Sequence, residues 1–174
     1  MHLITLRRRT IAARIAVGFL PLFTTGTDAK PRSPSPSGGA SEVLDQAEML
    51  SAADLASLRN QVAKHNAEGL GQMKVLIVPR LPVGMTIETY AERVLQDELA
   101  QPGRRADRVV LLLSLHERLV RIQVSSTLWS VLSDEVCKLV IERDMTPHFR
   151  SGNYSSGLSK GVSSLTTRLS GARR

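Results

Sequence analysis

Three arginines, Arg104, Arg105 and Arg108, lie close together in the sequence beside Asp107. Clustered guanidinium groups bind carboxylates and phosphates through paired hydrogen bonds, so this stretch is a candidate contact for an anion or a partner protein. A Pro-Gly pair just before the cluster is typical of a turn. The alternative interpretation is therefore a solvated loop whose charges face water.

The other residue types that often act in catalysis or metal binding do not form the sequence motifs that these functions need. Cys137 is the single cysteine, which excludes an intrachain disulfide and a two-cysteine metal or redox motif. Its apolar neighbours predict a small buried residue rather than a nucleophile. The histidines lack metal-ligand spacing and are interpreted as surface or loop residues; they are His2, His65, His116 and His148. The signatures of serine hydrolases, P-loop proteins, zinc proteases and dinucleotide-binding proteins are missing.

The net charge of +7 does not indicate a nucleic-acid-binding protein, because the excess is concentrated at the N-terminus. Residues 1–32 carry six basic residues and one acidic residue, whereas the rest of the chain carries 17 basic and 15 acidic residues. With 42% apolar and 22% charged residues, the composition is typical of a globular protein. The length allows one domain with its own core.

Residues 1–29 have the parts of an export signal: a basic region at Arg7–Arg9, an apolar stretch from Ile11 to Phe23, and small residues before Lys30. Arg14 interrupts the apolar stretch, which is too short to span a bilayer. The segment is either a signal peptide or an N-terminal anchor. We therefore predict an exported protein, periplasmic or tethered to the outer face of the inner membrane, which contacts the membrane only through this segment if it is retained.

Residues 30–41 are predicted to form a linker, since they are rich in proline, serine and glycine. One folded domain over 42–170 and a basic tail over 171–174 are predicted to follow. Within the domain, short runs of apolar and β-branched residues predict three strands, at 73–78, 109–115 and 119–124. The last two are predicted to form a hairpin.

Apolar residues at helical spacing predict four helices in the domain. Hydroxyl side chains that can accept hydrogen bonds from a first helical turn predict N-caps for three of them, at Ser51, Thr86 and Ser133. Pro147 is expected to end the third helix. The fourth helix carries Gly157 and Gly161, which are expected to permit close packing against a sheet. The order of helices and strands predicts a sheet covered by helices.

This order also predicts where a site would form. The loop before Val109 and the loop from Ser125 to Asp134 are expected to approach one another at one end of the sheet. Ligands of α/β proteins gather at the carboxyl ends of strands, so this end of the sheet is the expected location of a site.

Several segments of the domain, in their order and spacing, resemble a TPM domain. They are Val43–Asp45, Lys74–Val78, Thr86–Ala91, Val110–Leu113, Arg118–Val124, Val131–Asp134 and Pro147–Tyr154. This family includes the thylakoid-lumen acid phosphatase involved in photosystem repair and many bacterial envelope proteins. The resemblance implies an α/β fold, specifically a three-layer α/β/α sandwich with a small, mostly parallel sheet covered by helices. It also implies divalent-cation binding and weak phosphatase activity, as in some members.

The sequence departs from the family pattern in the loops whose acidic groups would bind a cation. Ala106-Asp107-Arg108 stands where the family has Asp/Asn-Asn-Gly, and residues 123–130 stand where it has Glu-Val-Gly-x-Gly-Leu-Glu-Gly. Asp107 and Asp134 remain as candidate metal ligands, and Asp45 also matches the family. Such carboxylates suit Ca²⁺ or Mg²⁺, here bound weakly because ligands are lost. The alternatives are a helix first-turn acid for Asp134 and a cap of local backbone groups for Asp45.

Trp129 stands where the family pattern has an acidic residue, in a loop expected to be exposed. Tryptophan is frequent at interface hot spots, so Trp129 is a candidate partner anchor, with core packing as the alternative. Two functions stay open. The first is a non-catalytic interaction or accessory module that binds an unidentified envelope protein, and no nucleic acid, through Trp129 and the 104–108 loop. The second is a weak divalent-metal-dependent phosphatase of phosphate esters or phosphoproteins, with Asp107 and Asp134 holding the ion and the arginines binding phosphate.

Overall fold

The computed structural model describes residues 42–172. The predicted export signal, the predicted linker at 30–41 and the last two residues of the predicted basic tail lie outside the described residues. Within 42–172, no helix combines the length and the apolar character that crossing a membrane requires.

A four-stranded sheet in the order β1-β2-β3-β4 lies at the centre of the described domain. The strands are β1 (Val43–Asp45), β2 (Gln72–Val78), β3 (Arg108–Ser114) and β4 (Leu119–Val124). The first three are parallel to one another, and β4 is antiparallel to β3. All residues of β3 are buried, as expected of a strand covered on both faces.

The helical segments are α1 (Ala52–Ala67), α2 (Ile87–Leu99), a 3₁₀ turn (Ser126–Leu128), α3 (Asp134–Leu139), a π-helix (Val140–Met145), α4 (Thr146–Arg150) and α5 (Tyr154–Gly171). One face of the sheet packs against α1, α3, the π-helix and α5. The other face packs against α2. The predicted three-layer α/β/α sandwich with a mostly parallel sheet is confirmed.

The three predicted N-caps are confirmed. The side-chain oxygens of Ser51, Thr86 and Ser133 accept hydrogen bonds from backbone N–H groups in the first turns of α1, α2 and α3, at 3.1, 3.3 and 3.4 Å respectively. Each hydroxyl satisfies a donor that has no partner within its own helix. Local sequence chemistry therefore sets where these helices begin.

Two expectations about the C-terminal third are wrong. Pro147 does not end a helix, because it lies in the first turn of α4, where its missing N–H costs no hydrogen bond. The helical backbone reaches it through the π-helix, and the Thr146 hydroxyl at the start of α4 donates to the carbonyl of Ile141 in the π-helix at 2.8 Å. Gly157 and Gly161 do not pack against the sheet; they contact Phe149 and Met145.

Strand β1 was not predicted, because three residues are too few to show a strand period. Its register with β2 pairs Val43 with Val75 and Asp45 with Ile77. Val43 is buried in the core. The strand therefore exists because β2 supplies a partner along its length, which is a tertiary effect.

We expect Gly157→Ala to lower the free energy of unfolding by about 1–3 kcal/mol, the usual cost of overpacking a close contact. An added Cβ would clash with Phe149 Cε1 and would lie 3.1 Å from the carbonyl oxygen of Met145. Urea denaturation measures the change. The matched control is Gly171→Ala in the same helix, where an added Cβ meets nothing within 4 Å. Equal stability of the two variants would contradict the tight contact between α5 and α4.

Candidate functional site

The loop before β3 and the loop after β4 meet. The backbone N–H of Ser125 donates to the carbonyl of Arg108 at 2.9 Å, and the Ser125 hydroxyl accepts from the Arg108 N–H at 2.9 Å. The Thr127 hydroxyl donates to the carbonyl of Ala106 at 3.4 Å. The predicted approach of the two loops is therefore confirmed.

The expectation that these loops lie at the carboxyl ends of the strands is wrong for β1, β2 and β3. Because β4 runs against the other strands, its carboxyl end lies at the amino ends of β1, β2 and β3. We call this the amino edge and the opposite side the carboxyl edge. The rule that ligands gather at the carboxyl ends of parallel strands points to the carboxyl edge instead.

Glu98 of α2 is the centre of a buried ion cluster at the amino edge. Its Oε2 lies 2.8 Å from Arg108 Nη1 and 3.4 Å from Arg104 Nη1, and its Oε1 is bonded to Lys74 Nζ. The side chains of Glu98 and Arg108 are 5% and 1% exposed. Because Coulomb attraction is strong away from water, one carboxylate holds three cationic groups.

Arg108 lies within β3 and not in a solvated loop, so it offers no surface to an anion or a partner. Its Nη2 donates to Gln72 Oε1 at 2.7 Å, in addition to the pair with Glu98. Burial lowers the pKa of Arg108, and the Glu98 carboxylate opposes that shift. The available signal was its position directly before the apolar run at 109–113, which extends the predicted strand by one residue.

The other two arginines of the cluster have different surroundings. Arg104 Nη1 lies 2.8 Å from Glu42 Oε1, and its side chain is 17% exposed. Arg105 is 47% exposed and lies 3.6 Å from the Asp107 carboxylate, a partly solvated pair. Arg105 is therefore the member of the cluster with the largest surface available to a partner.

The three aspartates named as candidate metal ligands are not brought together. Asp107 lies beside Arg105 at the amino edge, and Asp134 is 88% exposed with Arg121 Nη2 at 3.8 Å from its Oδ1. Asp45 ends β1 at the carboxyl edge. Within residues 42–172, no three histidine, cysteine or carboxylate side chains form a group that could hold a metal ion.

The Asp45 carboxylate is engaged by the backbone that follows it. Its Oδ1 accepts from the N–H of Ala47 at 3.2 Å, and its Oδ2 accepts from the N–H groups of Met49 and Leu50 at 3.0 and 2.8 Å. This local cap is one of the two interpretations of Asp45. Because these N–H groups direct partial positive charge at both carboxylate oxygens, Asp45 and the backbone around it do not fit a divalent-cation site.

Two residues that could act as a nucleophile or a base are buried. Cys137 is 5% exposed, and burial raises the pKa of its thiol to about 11, as expected of a small core residue. His65 is 1% exposed, so its assignment to the surface or a loop is wrong. Its Nδ1 lies 2.9 Å from the Thr166 hydroxyl, and burial lowers its pKa.

Trp129 is 63% exposed, which excludes the core-packing interpretation. Its indole N–H donates to the carbonyl of Val124 at 3.3 Å, so the ring is held at the end of β4. The ring borders a depression of about 360 Å³ whose polar lining includes Arg121, Gln123 and Asp134. The candidate site at the amino edge is therefore a fixed aromatic surface with charged groups of both signs beside it.

The family model of the TPM domain matches residues 43–168, which is almost the whole described domain. The chain belongs to the TPM domain family. A search of curated proteins gives no match for this TPM domain.

Solved structures share the fold of this TPM domain. The N-terminal domain of a protein from P. gingivalis is 26% identical, with a TM-score of 0.67 over 76% of this chain and 83% of that chain. The BA42 protein from the psychrophilic bacterium Bizionia argentinensis is 15% identical, with a TM-score of 0.61 over 71% and 83%. The N-terminal domain of cg2496 from Corynebacterium glutamicum is 15% identical, with a TM-score of 0.59 over 78% and 84%.

We expect Glu98→Gln to destabilise this TPM domain by about 3 kcal/mol or more, because it leaves Lys74 and Arg108 buried without an opposite charge. Thermal and urea denaturation of the full chain measure the effect. The matched control is Asp97→Asn, which removes one negative charge from an exposed position of the same helix and is expected to cost less than about 0.5 kcal/mol. Similar losses in both variants would show that net charge, not the buried cluster, is responsible.

Proposed function

We propose that this TPM domain is a non-catalytic interaction or accessory module of the cell envelope, which docks a protein partner on Trp129. The observation that carries the proposal is the large exposed surface of a tryptophan whose ring is anchored by its own N–H. Most exposed apolar surface on a protein needs no explanation, but tryptophan is the residue type most enriched in interface hot spots.

The backbone under Trp129 is well supported. The residue follows the 3₁₀ turn at Ser126–Leu128, and its N–H donates to the carbonyl of Ser126 at 3.3 Å. Leu128 of the same turn is buried in the main core, which ties the turn to the sheet. A ring that is already held in place loses little conformational entropy on binding, so more of its contact energy appears as affinity.

The surroundings of Trp129 supply the polar rim that a protein interface requires. Arg121 and Asp134 form a loose pair at 3.8 Å, and both line the depression beside the ring. Glu135 lines the same depression and accepts from the Ser133 hydroxyl at 2.7 Å. Solvated charges around an apolar centre give specificity and speed association more than they add affinity.

The phosphatase alternative has less support from the contacts. Two of the three arginines predicted to bind phosphate, Arg108 and Arg104, are bound to Glu98 and Glu42, whereas Arg105 stays partly exposed. Asp134 faces Arg121, a cation that competes with a metal ion for the same carboxylate. These residues do not supply the ligand set that a metal-assisted mechanism needs. Binding of a partner through Trp129 requires no metal ion.

The envelope location in the proposal rests on the sequence. Residues 1–29 carry the basic region, the apolar stretch and the small residues of an export signal. Residues 30–41 are rich in proline, serine and glycine, the composition of a spacer. A folded domain on such a spacer can reach a partner in the periplasm whether or not the signal is retained as an anchor.

We expect Trp129→Ala to abolish partner capture with a stability change below about 1 kcal/mol, because most of the ring surface already faces water. A photo-crosslinking amino acid at the neighbouring exposed Ser130 of the full chain, once with Trp129 retained and once with Trp129→Ala, measures capture in cells that produce the protein by mass spectrometry of the adduct. The matched control places the crosslinker at Val83, a fully exposed apolar residue away from the amino edge. The same adducts from Ser130 and Val83, no adduct from Ser130 with Trp129 retained, or adducts that persist in Trp129→Ala would contradict the proposal.

A stability loss of about 3 kcal/mol or more in Trp129→Ala would assign the ring to the core instead. Calorimetric titration with Ca²⁺ and Mg²⁺ tests the phosphatase alternative. Binding at micromolar to low millimolar concentration that Asp134→Asn removes would favour that alternative over the interaction module.

A further inference from the structure

A cleft of about 550 Å³ opens at the carboxyl edge, at the opposite end of β4 from Trp129. It lies where the hairpin turn and the start of β4 face α4 and the first turn of α5. This volume is within the range of small-ligand sites, and the carboxyl edge is where ligands of parallel sheets gather.

The cleft carries positive charge without compensation. Arg118 and Arg150 both line it, and no acidic residue of the described 42–172 segment does. Neither guanidinium takes part in an ion pair or a hydrogen bond with another described residue. The arginines at the amino edge, in contrast, are held by acidic side chains. Two unpaired guanidiniums at one cleft favour an anionic ligand.

The backbone of Arg118 is unusual for an arginine. Its φ of 56° places it in the left-handed region, which a glycine would adopt without strain. The hairpin turn between β3 and β4 requires that conformation but not that side chain. The chain therefore keeps a guanidinium at the mouth of the cleft in spite of the strained backbone. Such strained residues are frequent in binding sites.

Apart from Thr146 and Gly152, the rest of the lining is apolar or aromatic. Phe149 and Tyr154 stack with ring centroids 5.3 Å apart, and both rings line the cleft. Leu119, also in the lining, is 43% exposed, so the apolar surface continues out of the cleft. The π-helix just before α4 sets the position of this wall, and π-helical segments are frequent at functional sites.

We propose that this cleft binds the C-terminal residue of a peptide that ends in an apolar or aromatic side chain. Arg118 and Arg150 bind the terminal carboxylate, and the stacked rings contact the side chain. Leu119 contacts the preceding residue of the peptide, since it extends the apolar surface outward. The inference does not depend on Trp129, because the two surfaces lie at opposite edges of the sheet.

The test is an NMR titration of the isotope-labelled full chain with the peptide acetyl-Ala-Ala-Phe, which has a free carboxylate. We expect shift changes confined to the cleft residues and an affinity at least about tenfold higher than that of the matched C-terminal amide, since charge-assisted hydrogen bonds are lost. Arg150→Gln is expected to weaken binding by a similar factor. Arg143→Gln, at an exposed arginine of the π-helix outside the cleft, is expected to have no effect.

Arg118→Gly separates binding from folding, because glycine removes the guanidinium and suits the left-handed backbone. Loss of binding with an unchanged or raised melting temperature would support the proposal. Equal affinity for the acid and the amide, no shift change at the cleft, or retained binding in both arginine variants would overturn it. Tighter binding of phenyl phosphate at the same residues would also overturn it and assign the cleft to phosphate esters.

Discussion

A buried carboxylate on α2 holds together the amino edge of the domain. Glu98 accepts from Lys74 of β2 and Arg108 of β3, and Arg104 links it to Glu42 just before β1. Each charge would be costly to bury alone, so the cluster is stable only when α2 and the strands are all in place. It therefore couples the smaller helical layer to the sheet, and the loop before β3 is positioned by the same contacts.

This cluster also decides which surface is left for function at that edge. The cluster separates the arginines that are neighbours in the sequence. Arg108 is buried in its pair with Glu98, Arg104 is mostly buried in its pair with Glu42, and Arg105 stays at the surface. Trp129, anchored on β4, is the large exposed residue that remains nearby. These contacts are the basis of the protein interface proposed at the amino edge.

Membership of the TPM domain family establishes the fold of this chain more than its activity. The carboxylates that a cation would need are separated or engaged: Asp45 caps the backbone after β1, and Asp134 faces Arg121. Arg118 and Arg150, which have no acidic partner among the described residues, lie at the carboxyl edge, on the cleft formed by the hairpin turn, α4 and α5. A shared sheet and helix arrangement can therefore support different binding surfaces at its two edges.

The sequence by itself determined the helix starts at Ser51, Thr86 and Ser133 and the three longer strands, because caps and apolar runs act over a few neighbouring residues. The order and spacing of its segments also identified the family. Tertiary structure alone decided the existence of β1 and the burial of His65. It also decided that Arg108 faces Glu98 rather than water. These outcomes depend on partners distant in the sequence. The local sequence pattern around a side chain does not show which distant residue will pair with it.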